Sequence, residues 1–126
     1  MGSTGQEDVR PILSTGSLEA SDKAAADVQK TPHRVSLDSM NAKVAGENYF
    51  TVGEALGALG QPFTSQHKVM TICVVTMANG YMVVGKSAPA DAGNFNAELG
   101  RKFAREDAVR QLWPLEGYAL REKLAA

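Results

Sequence analysis

Two arginines, Arg101 and Arg105, are the residues of this sequence best suited to chemistry, and that chemistry would be anion binding. On a helix they lie one turn apart, on the same side as Ala108 and Leu112, with no acidic residue four positions before either. A planar guanidinium matches the paired oxygens of a phosphate or a carboxylate. The same pair could equally lie on the surface and cover apolar neighbours with its aliphatic stems. The sequence leaves both interpretations open.

Three further side chains could complete a ligand site. Tyr81 directly follows an Asn-Gly turn, where its ring either packs on a strand pair or stacks on a base. Asn94 and Asn96 stand at the start of the same helix, where such side chains cap the helix or meet an anion beside its free amides. We therefore expect a ligand site built from Arg101, Arg105, Tyr81, Asn94 and Asn96.

Catalytic and metal-binding patterns are missing from the sequence. His33 and His67 are far apart and Cys73 is isolated, so no metal-ligand spacing is present. The nucleophile-elbow, zinc-protease and P-loop motifs are absent as well. Cys73 lies in an apolar run, where a buried and unreactive thiol is expected. We expect a binding protein without catalytic residues, metal or cofactor, and not an enzyme.

Composition narrows the class of partner. The chain has 126 residues, 44% of them apolar and 21% charged, as in a single globular domain. A net charge of −1 does not provide the basic surface that general nucleic-acid binding needs. The longest apolar run, residues 69–75, is far shorter than the roughly 20 residues of a membrane helix. With no signal-peptide pattern and one cysteine, we expect a cytoplasmic protein with no membrane partner.

The elements that would position these residues follow from turn and cap signals. Asn79-Gly80 separates two β-branched apolar runs and predicts a type I′ hairpin over about 68–87. A long helix should follow over about 95–113, capped by Asp91 or Asn94 and ended by Pro114, with a separate C-terminal helix after it.

Two shorter helices are predicted earlier in the chain. Ser36 is placed to cap a helix that ends at Gly46, and Thr51 is placed to cap one that reaches Leu59. Glu106 and Arg110 have the i,i+4 spacing of an ion pair on the long helix.

The domain organisation follows from the same pattern. Residues 1–31 contain no aromatic side chain and are predicted to be a flexible tail, with a short helix over Leu18–Val28. Residues 32–126 form one α+β domain, a small antiparallel sheet packed by helices. Two strands alone are marginally stable. Either a third strand forms within residues 49–68 or strands pair between subunits, and we favour a homo-oligomer.

Several short segments, in this order, carry a resemblance to a known family. They are Pro32-His33-Arg34-Val35, Tyr49-Phe50-Thr51, Thr71-Ile72-Cys73-Val74, Asn79-Gly80-Tyr81, Val83 to Ala88, Asn94 to Lys102, and Trp113 to Tyr118. Together they resemble a widespread family of small phage proteins, known from enterobacterial podophages and long catalogued without a function. The resemblance covers about residues 31–125.

The same pattern is similar to the Thoeris anti-defence sponges, phage proteins that sequester cyclic ADP-ribose signals and, in some cases, cyclic oligonucleotides. The resemblance implies a dimer or larger oligomer in the host bacterial cytoplasm, with the ligand held between subunits. It also implies arginines on the phosphates, to which Arg101 and Arg105 correspond best, and an aromatic ring on a base. Tyr81, Asn94 and Asn96 are looser correspondences.

Two positions depart from the family pattern. Pro89 stands where the family loop commonly carries a cysteine, and Asn96 stands where it commonly carries an aspartate. The alternative function is a protein-interaction module that docks on a host or phage protein and binds no small ligand.

Overall fold

The predicted α+β architecture is confirmed by a computed structural model, which describes residues 15–126 and the side chains from Leu18 onward. A three-stranded antiparallel sheet, in the order β1-β2-β3, carries a long C-terminal helix on one face. The elements are α1 Thr15–Asp27, α2 Leu37–Asn41, β1 Val44–Thr51, α3 Val52–Ala58, β2 Thr71–Met77, β3 Met82–Ser87 and α4 Ala97–Ala125, with single 3₁₀ turns at His67–Val69 and Ala92–Asn94.

The core lies between the sheet and α4. Alternate residues of β2 are buried on the side of α4, among them Cys73 and Val75, as a half-covered strand requires. They pack against the apolar side of α4, which includes Ala104, Ala108 and Leu112. The helix comes very close to β3 because residue 85 is glycine: a Cβ there would overlap the carbonyl oxygen of Ala104.

The predicted hairpin is confirmed, but its turn is not type I′. The register pairs Thr76 with Met82, and the Met77 N–H donates to the Tyr81 carbonyl at 2.8 Å, so three residues form the tip. The Gly80 N–H donates to the Met77 carbonyl at 2.8 Å, and Gly80 has a φ of +90°. This is the three-residue loop in which a type I turn is followed by a left-handed residue. Asn-Gly suits both turns, so the sequence did not separate them.

The third strand comes from a segment that we partly predicted as helix. Ser36 caps α2 as expected, with Ser39 completing a capping box, but the helix ends at Asn41 and not at Gly46. From Val44 the chain forms an eight-residue strand, of which seven residues pair antiparallel with β2 and the register shifts between Val44 and Gly46. Tertiary pairing therefore overrides the helical spacing of the apolar residues. The chain supplies its own third strand, so the sheet does not need a strand from another subunit. The homo-oligomer therefore stays a prediction without this argument.

The helix α4 runs through Pro114, where we predicted a break. Proline removes one intrahelical hydrogen bond, which usually ends or kinks a helix. Here contacts on both sides hold the two halves in place. The Trp113 indole donates to the Val35 carbonyl at 3.1 Å, and Glu116 forms an ion pair with Lys43 at 2.6 Å.

The helix α1 lies within the segment predicted as a flexible tail, close to the predicted short helix. Its Leu18 side chain is 5% exposed and joins the core. Asp22 accepts hydrogen bonds from Arg34 Nη1 at 2.8 Å and from the Leu37 amide at 3.0 Å. Residues 15–27 thus pack on the domain that we predicted to begin at residue 32, while residues 1–14 of that tail lie outside the described residues.

The outer edge of β3 is bonded to side chains of α4. The Lys86 N–H donates to Asp107 Oδ2 at 2.9 Å, and Gln111 Nε2 donates to the Val84 carbonyl at 2.7 Å. The sheet face turned away from α4 is more open. On that face Met82 is 60% exposed and Val84 52% exposed.

Candidate functional site

A cavity of about 450 Å³ lies where β1 ends, β2 begins and α4 begins. We call it the Arg101 cavity. It is lined by Tyr49, Phe50, Thr51, Glu54, Lys68, Thr71, Phe95, Ala97 and Arg101. These residues provide two cationic groups, three aromatic rings and one carboxylate. Such a combination suits an anionic molecule that also carries a flat ring.

The wall formed by β1 and α3 is fixed by a capping box. Thr51 Oγ1 accepts from the Glu54 amide at 3.1 Å, and Glu54 Oε1 accepts from the Thr51 amide at 2.7 Å. This reciprocal pair satisfies two amides at the helix start, as the sequence predicted for Thr51. It also commits the cavity's one lining carboxylate to a structural hydrogen bond.

Lys68 reaches the same wall because α3 packs closely on the turn that carries it. A Cβ at Gly53 would lie 3.1 Å from Lys68 Cα, so only a residue without a side chain allows this approach at its present distance. Lys68 Nζ lies 6.0 Å from the centroid of the Phe63 ring. Within residues 15–126, neither Lys68 nor Arg101 forms an ion pair. The cavity therefore carries two positive charges that no ion pair within the described residues neutralises.

The floor of the cavity contains a buried hydroxyl group. Thr71 is 3% exposed, and among the described residues its Oγ1 has no hydrogen-bond partner. Gly100 of α4 lies opposite, and a Cβ there would be 2.7 Å from that oxygen and 3.4 Å from the Phe95 ring. Leaving a buried hydroxyl unpaired costs about 1–3 kcal/mol.

Tyr49 connects the cavity to a charged network behind it. Its hydroxyl donates to Glu47 Oε1 at 2.7 Å, and Arg105 Nε donates to Glu47 Oε2 at 2.8 Å. Burial alone would raise the pKa of Glu47, but the hydrogen bonds from Tyr49 and Arg105 outweigh it and lower that pKa. Burial and the bond to Glu47 raise the pKa of Tyr49. The tyrosine is thus held neutral, with its ring fixed against the cavity.

This network determines the role of Arg105, which we expected to act with Arg101. Besides the ion pair with Glu47, Arg105 Nη2 donates to Asn41 Oδ1 at 3.0 Å. Arg105 therefore joins α4 to α2 and β1 and does not line the Arg101 cavity. Of the two predicted clamp arginines, the structure places only Arg101 at this cavity.

Tyr81 lies elsewhere, at the tip of the hairpin, and is 54% exposed. It lines a second cavity of about 450 Å³, between the tip and the second half of α4. Met77 and Leu112 contribute apolar surface there, and the Lys43–Glu116 ion pair lies beside them. The structure thus separates Tyr81 from Arg101.

Asn94 and Asn96 line a third and much smaller cavity, of about 70 Å³, beside Pro89. Asn96 Oδ1 accepts from the Leu99 amide at 3.0 Å, so Asn96 is the N-cap of α4. The capping interpretation is confirmed for Asn96, whereas Asn94 ends the preceding 3₁₀ turn. The predicted ligand residues are therefore not gathered in one place.

Sequence reasoning missed most of the Arg101 cavity. Lys68 stands at the start of the predicted hairpin, in a 3₁₀ turn that precedes β2, and no sequence pattern marks it as a ligand residue. Thr71 offered the one usable signal, because it is a polar residue on the otherwise apolar core face of β2. Tyr49 was not predicted as a site residue; it is a strand residue with its hydroxyl in the charged network.

Within residues 15–126, no three His, Cys, Asp or Glu side chains are grouped as metal ligands. No helix in that part combines the length and the apolar character that crossing a membrane requires. Cys73 is fully buried, and burial raises the pKa of its thiol.

Comparison with models of protein families identifies the family of the chain. Residues 35–124 match the model of the phage protein (N4 Gp49/phage Sf6 gene 66) family. The chain belongs to this phage protein family. The match spans the phage protein from α2 to the end of α4, so the whole Arg101 cavity lies within it and α1 lies before it. Comparison of the phage protein with curated proteins and with solved structures finds no match.

Proposed function

We propose that this phage protein binds a small anionic, nucleotide-like molecule in the Arg101 cavity and sequesters it. The observation that carries the proposal is a pair of cations, Arg101 and Lys68, that have no ion-pair partner among residues 15–126 and lie beside three aromatic rings. A volume of about 450 Å³ falls within the range of small-molecule sites. The cations would contact phosphate oxygens, and the rings would pack against a base or sugar.

The class of ligand we propose is a cyclic nucleotide-like immune signal, of the cyclic ADP-ribose type or a cyclic oligonucleotide. This choice follows from the resemblance to the Thoeris anti-defence sponges that the sequence suggested, and the arginine at the start of α4 is compatible with it. The proposed role is anti-defence in the host bacterial cytoplasm, where holding such a signal would prevent its use by the host.

We further propose that the ligand is held and not cleaved. Glu54 is the one carboxylate among the described lining residues, and the Thr51 amide already occupies its Oε1. A hydrolase needs a base within hydrogen-bond reach of a nucleophile or water. Among the described lining residues, no other carboxylate and no histidine could serve as such a base.

The test is isothermal calorimetry of the full chain against cyclic ADP-ribose isomers and cyclic di- and trinucleotides. At least one should bind, and Arg101→Ala and Lys68→Ala should each weaken that binding by roughly 10- to 100-fold, as expected when a charged hydrogen bond to phosphate is lost. Chromatography after incubation should recover the ligand unchanged.

Lys102→Ala is the matched control, because Lys102 is an exposed cation adjacent to Arg101 that does not line the cavity. It should leave affinity almost unchanged. A folded protein that binds none of these compounds would refute the proposal. Equal losses in Lys102→Ala and Arg101→Ala would refute the placement of the site, and a converted ligand would refute sequestration.

A second candidate function is docking on a host or phage protein. The open face of the sheet favours it, because Met82 and Val84 are more than half exposed there. The same surface could also pair two copies of the chain. The mass of the protein in solution should therefore be measured by light scattering alongside a pull-down from host lysate. A stoichiometric partner from host lysate, retained by Arg101→Ala and lost by Val84→Glu, would support docking over ligand binding.

A further inference from the structure

Glu106 is a buried acid with no described partner. It lies on α4 and is 4% exposed, yet among the described residues neither carboxylate oxygen has a hydrogen-bond partner. The spacing predicted an ion pair with Arg110, and no hydrogen bond joins the two residues. A buried carboxylate that lacks partners favours its neutral form, because burial removes the water that stabilises the charge.

Among the described residues, the charges around Glu106 come from two helices. On its own helix, α4, the cations are Lys102, Arg105 and Arg110, and on α1 the facing charge is Glu19. Arg105 is already paired with Glu47, and Glu19 opposes ionisation. Burial is the dominant effect and raises the pKa of Glu106 from 4.5 to about 7.

The helix α1 contacts α4 and is held by few side chains. Leu18 is its one buried residue among those with described side chains. Its other anchor is Asp22, which bonds to Arg34 and to the Leu37 amide. Such a helix can separate from the domain without opening the sheet, since local units with few buried contacts open at low free-energy cost.

From this arrangement we infer that Glu106 is a proton-linked latch for α1: its neutral form permits docking, and its ionised form favours release of the helix. The group that Glu106 controls is thus a segment of the same chain, the helix α1. Released α1 would uncover the side of α4 that carries Glu106 and the apolar surface that Leu18 contacts. This inference does not depend on the proposed ligand, because the lining of the Arg101 cavity includes neither Glu106 nor any residue of α1.

The direction of the pH dependence follows from proton linkage. With α1 docked, Glu106 binds its proton more tightly than with α1 released, where the ordinary pKa of 4.5 applies. Docking therefore weakens as pH rises from about 4.5 to about 7 and levels off above that. Between about pH 5 and pH 8 the opening equilibrium of α1 should increase roughly 70-fold.

Two NMR measurements on the full chain test the inference. The carboxyl carbon of Glu106 gives its pKa, and hydrogen exchange of the α1 amides, corrected for intrinsic rates, gives the opening equilibrium. In Glu106→Gln the opening equilibrium should no longer change with pH in this range. In Leu18→Ala, which removes the anchor of α1, the pKa of Glu106 should fall toward 4.5.

Glu98→Gln is the control, because Glu98 is an exposed acid on the same helix; it should keep the pH dependence of the native chain. The inference is overturned if Glu106 titrates near 4.5 in the native chain. It is also overturned if Glu106→Gln retains the pH dependence of α1, or if Leu18→Ala releases α1 while the pKa of Glu106 stays near 7.

Discussion

Replacing Gly85 by alanine should push α4 away from the sheet on which it packs. The added Cβ would overlap the carbonyl oxygen of Ala104, and it would lie 2.5 Å from the Ala108 nitrogen and 3.0 Å from the Ala108 Cβ. Carbon–oxygen contacts normally lie at about 3.3–3.6 Å, so the helix must retreat by more than about 1 Å. The obstacle is helix backbone, which cannot rotate aside as a side chain would.

The cost combines overpacking with lost contact between two elements. Overpacked cores typically lose about 1–3 kcal/mol, and occasionally more. A helix displaced from a sheet also loses dispersion contacts along its length. We therefore expect Gly85→Ala to lower the free energy of unfolding by at least about 3 kcal/mol, a large part of the 5–15 kcal/mol of a typical domain. The corresponding fall in melting temperature is roughly 10–20 °C.

Urea denaturation measures this change, and Trp113 provides the signal because it is the single tryptophan and lies on α4. Gly46→Ala is the matched control: it is also a glycine in a strand, with nothing within 4 Å of an added Cβ. It should be neutral or stabilise by about 0.5–1 kcal/mol. If Gly85→Ala unfolds within about 1 kcal/mol of the native chain, the close contact between α4 and β3 is refuted.

Three other changes probe the ion pairs and caps. Arg105→Ala should lower the free energy of unfolding by about 1–3 kcal/mol, since Glu47 loses its ion-pair partner and keeps only the hydrogen bond from Tyr49, and an unchanged urea midpoint would contradict the structural role of Arg105. Thr51→Ala should cost about 1 kcal/mol by the same assay, because α3 loses its cap. The hydrogen bond from Arg34 lowers the pKa of Asp22 below 3.8, so the stability it gives α1 is present above that pH and is lost in acid. Asp22→Asn should weaken α1 protection at neutral pH and abolish its acid dependence; a retained acid dependence would argue against this pair.

Local signals predicted the elements whose causes are local. The Asn-Gly hairpin and the Thr51 cap depend on residues within a few positions of each other, and both are present. The strand β1 was not predicted because it is stabilised by residues far away in the sequence: Val44 pairs with Met77. The residues just before it form the helix capped by Ser36, and this local helical signal suggested that the helix continues. The predicted break at Pro114 was wrong for the same reason, because the contacts that hold the helix on both sides of this residue come from distant parts of the chain.

The residues of the Arg101 cavity were even harder to predict from local sequence signals. The spacing of Arg101 and Arg105 indicated only that both lie on one side of a helix. Their different roles are set by Glu47, which reaches Arg105 from a strand far earlier in the chain. Lys68 and Thr71 could not be placed beside Arg101 without the register of the sheet, because no short-range pattern links them.

The bonds between α4 and the outer edge of β3 have a consequence for the behaviour of the chain at high concentration. An exposed strand edge is a template on which another chain can add a strand and begin to aggregate. Here Asp107 and Gln111 occupy polar groups of that edge. A foreign strand could pair at those positions only after α4 has moved off, which would also break its contact at Gly85. Growth of the sheet on this side is therefore coupled to the loss of the native core, and the folded chain does not offer this edge as a seed.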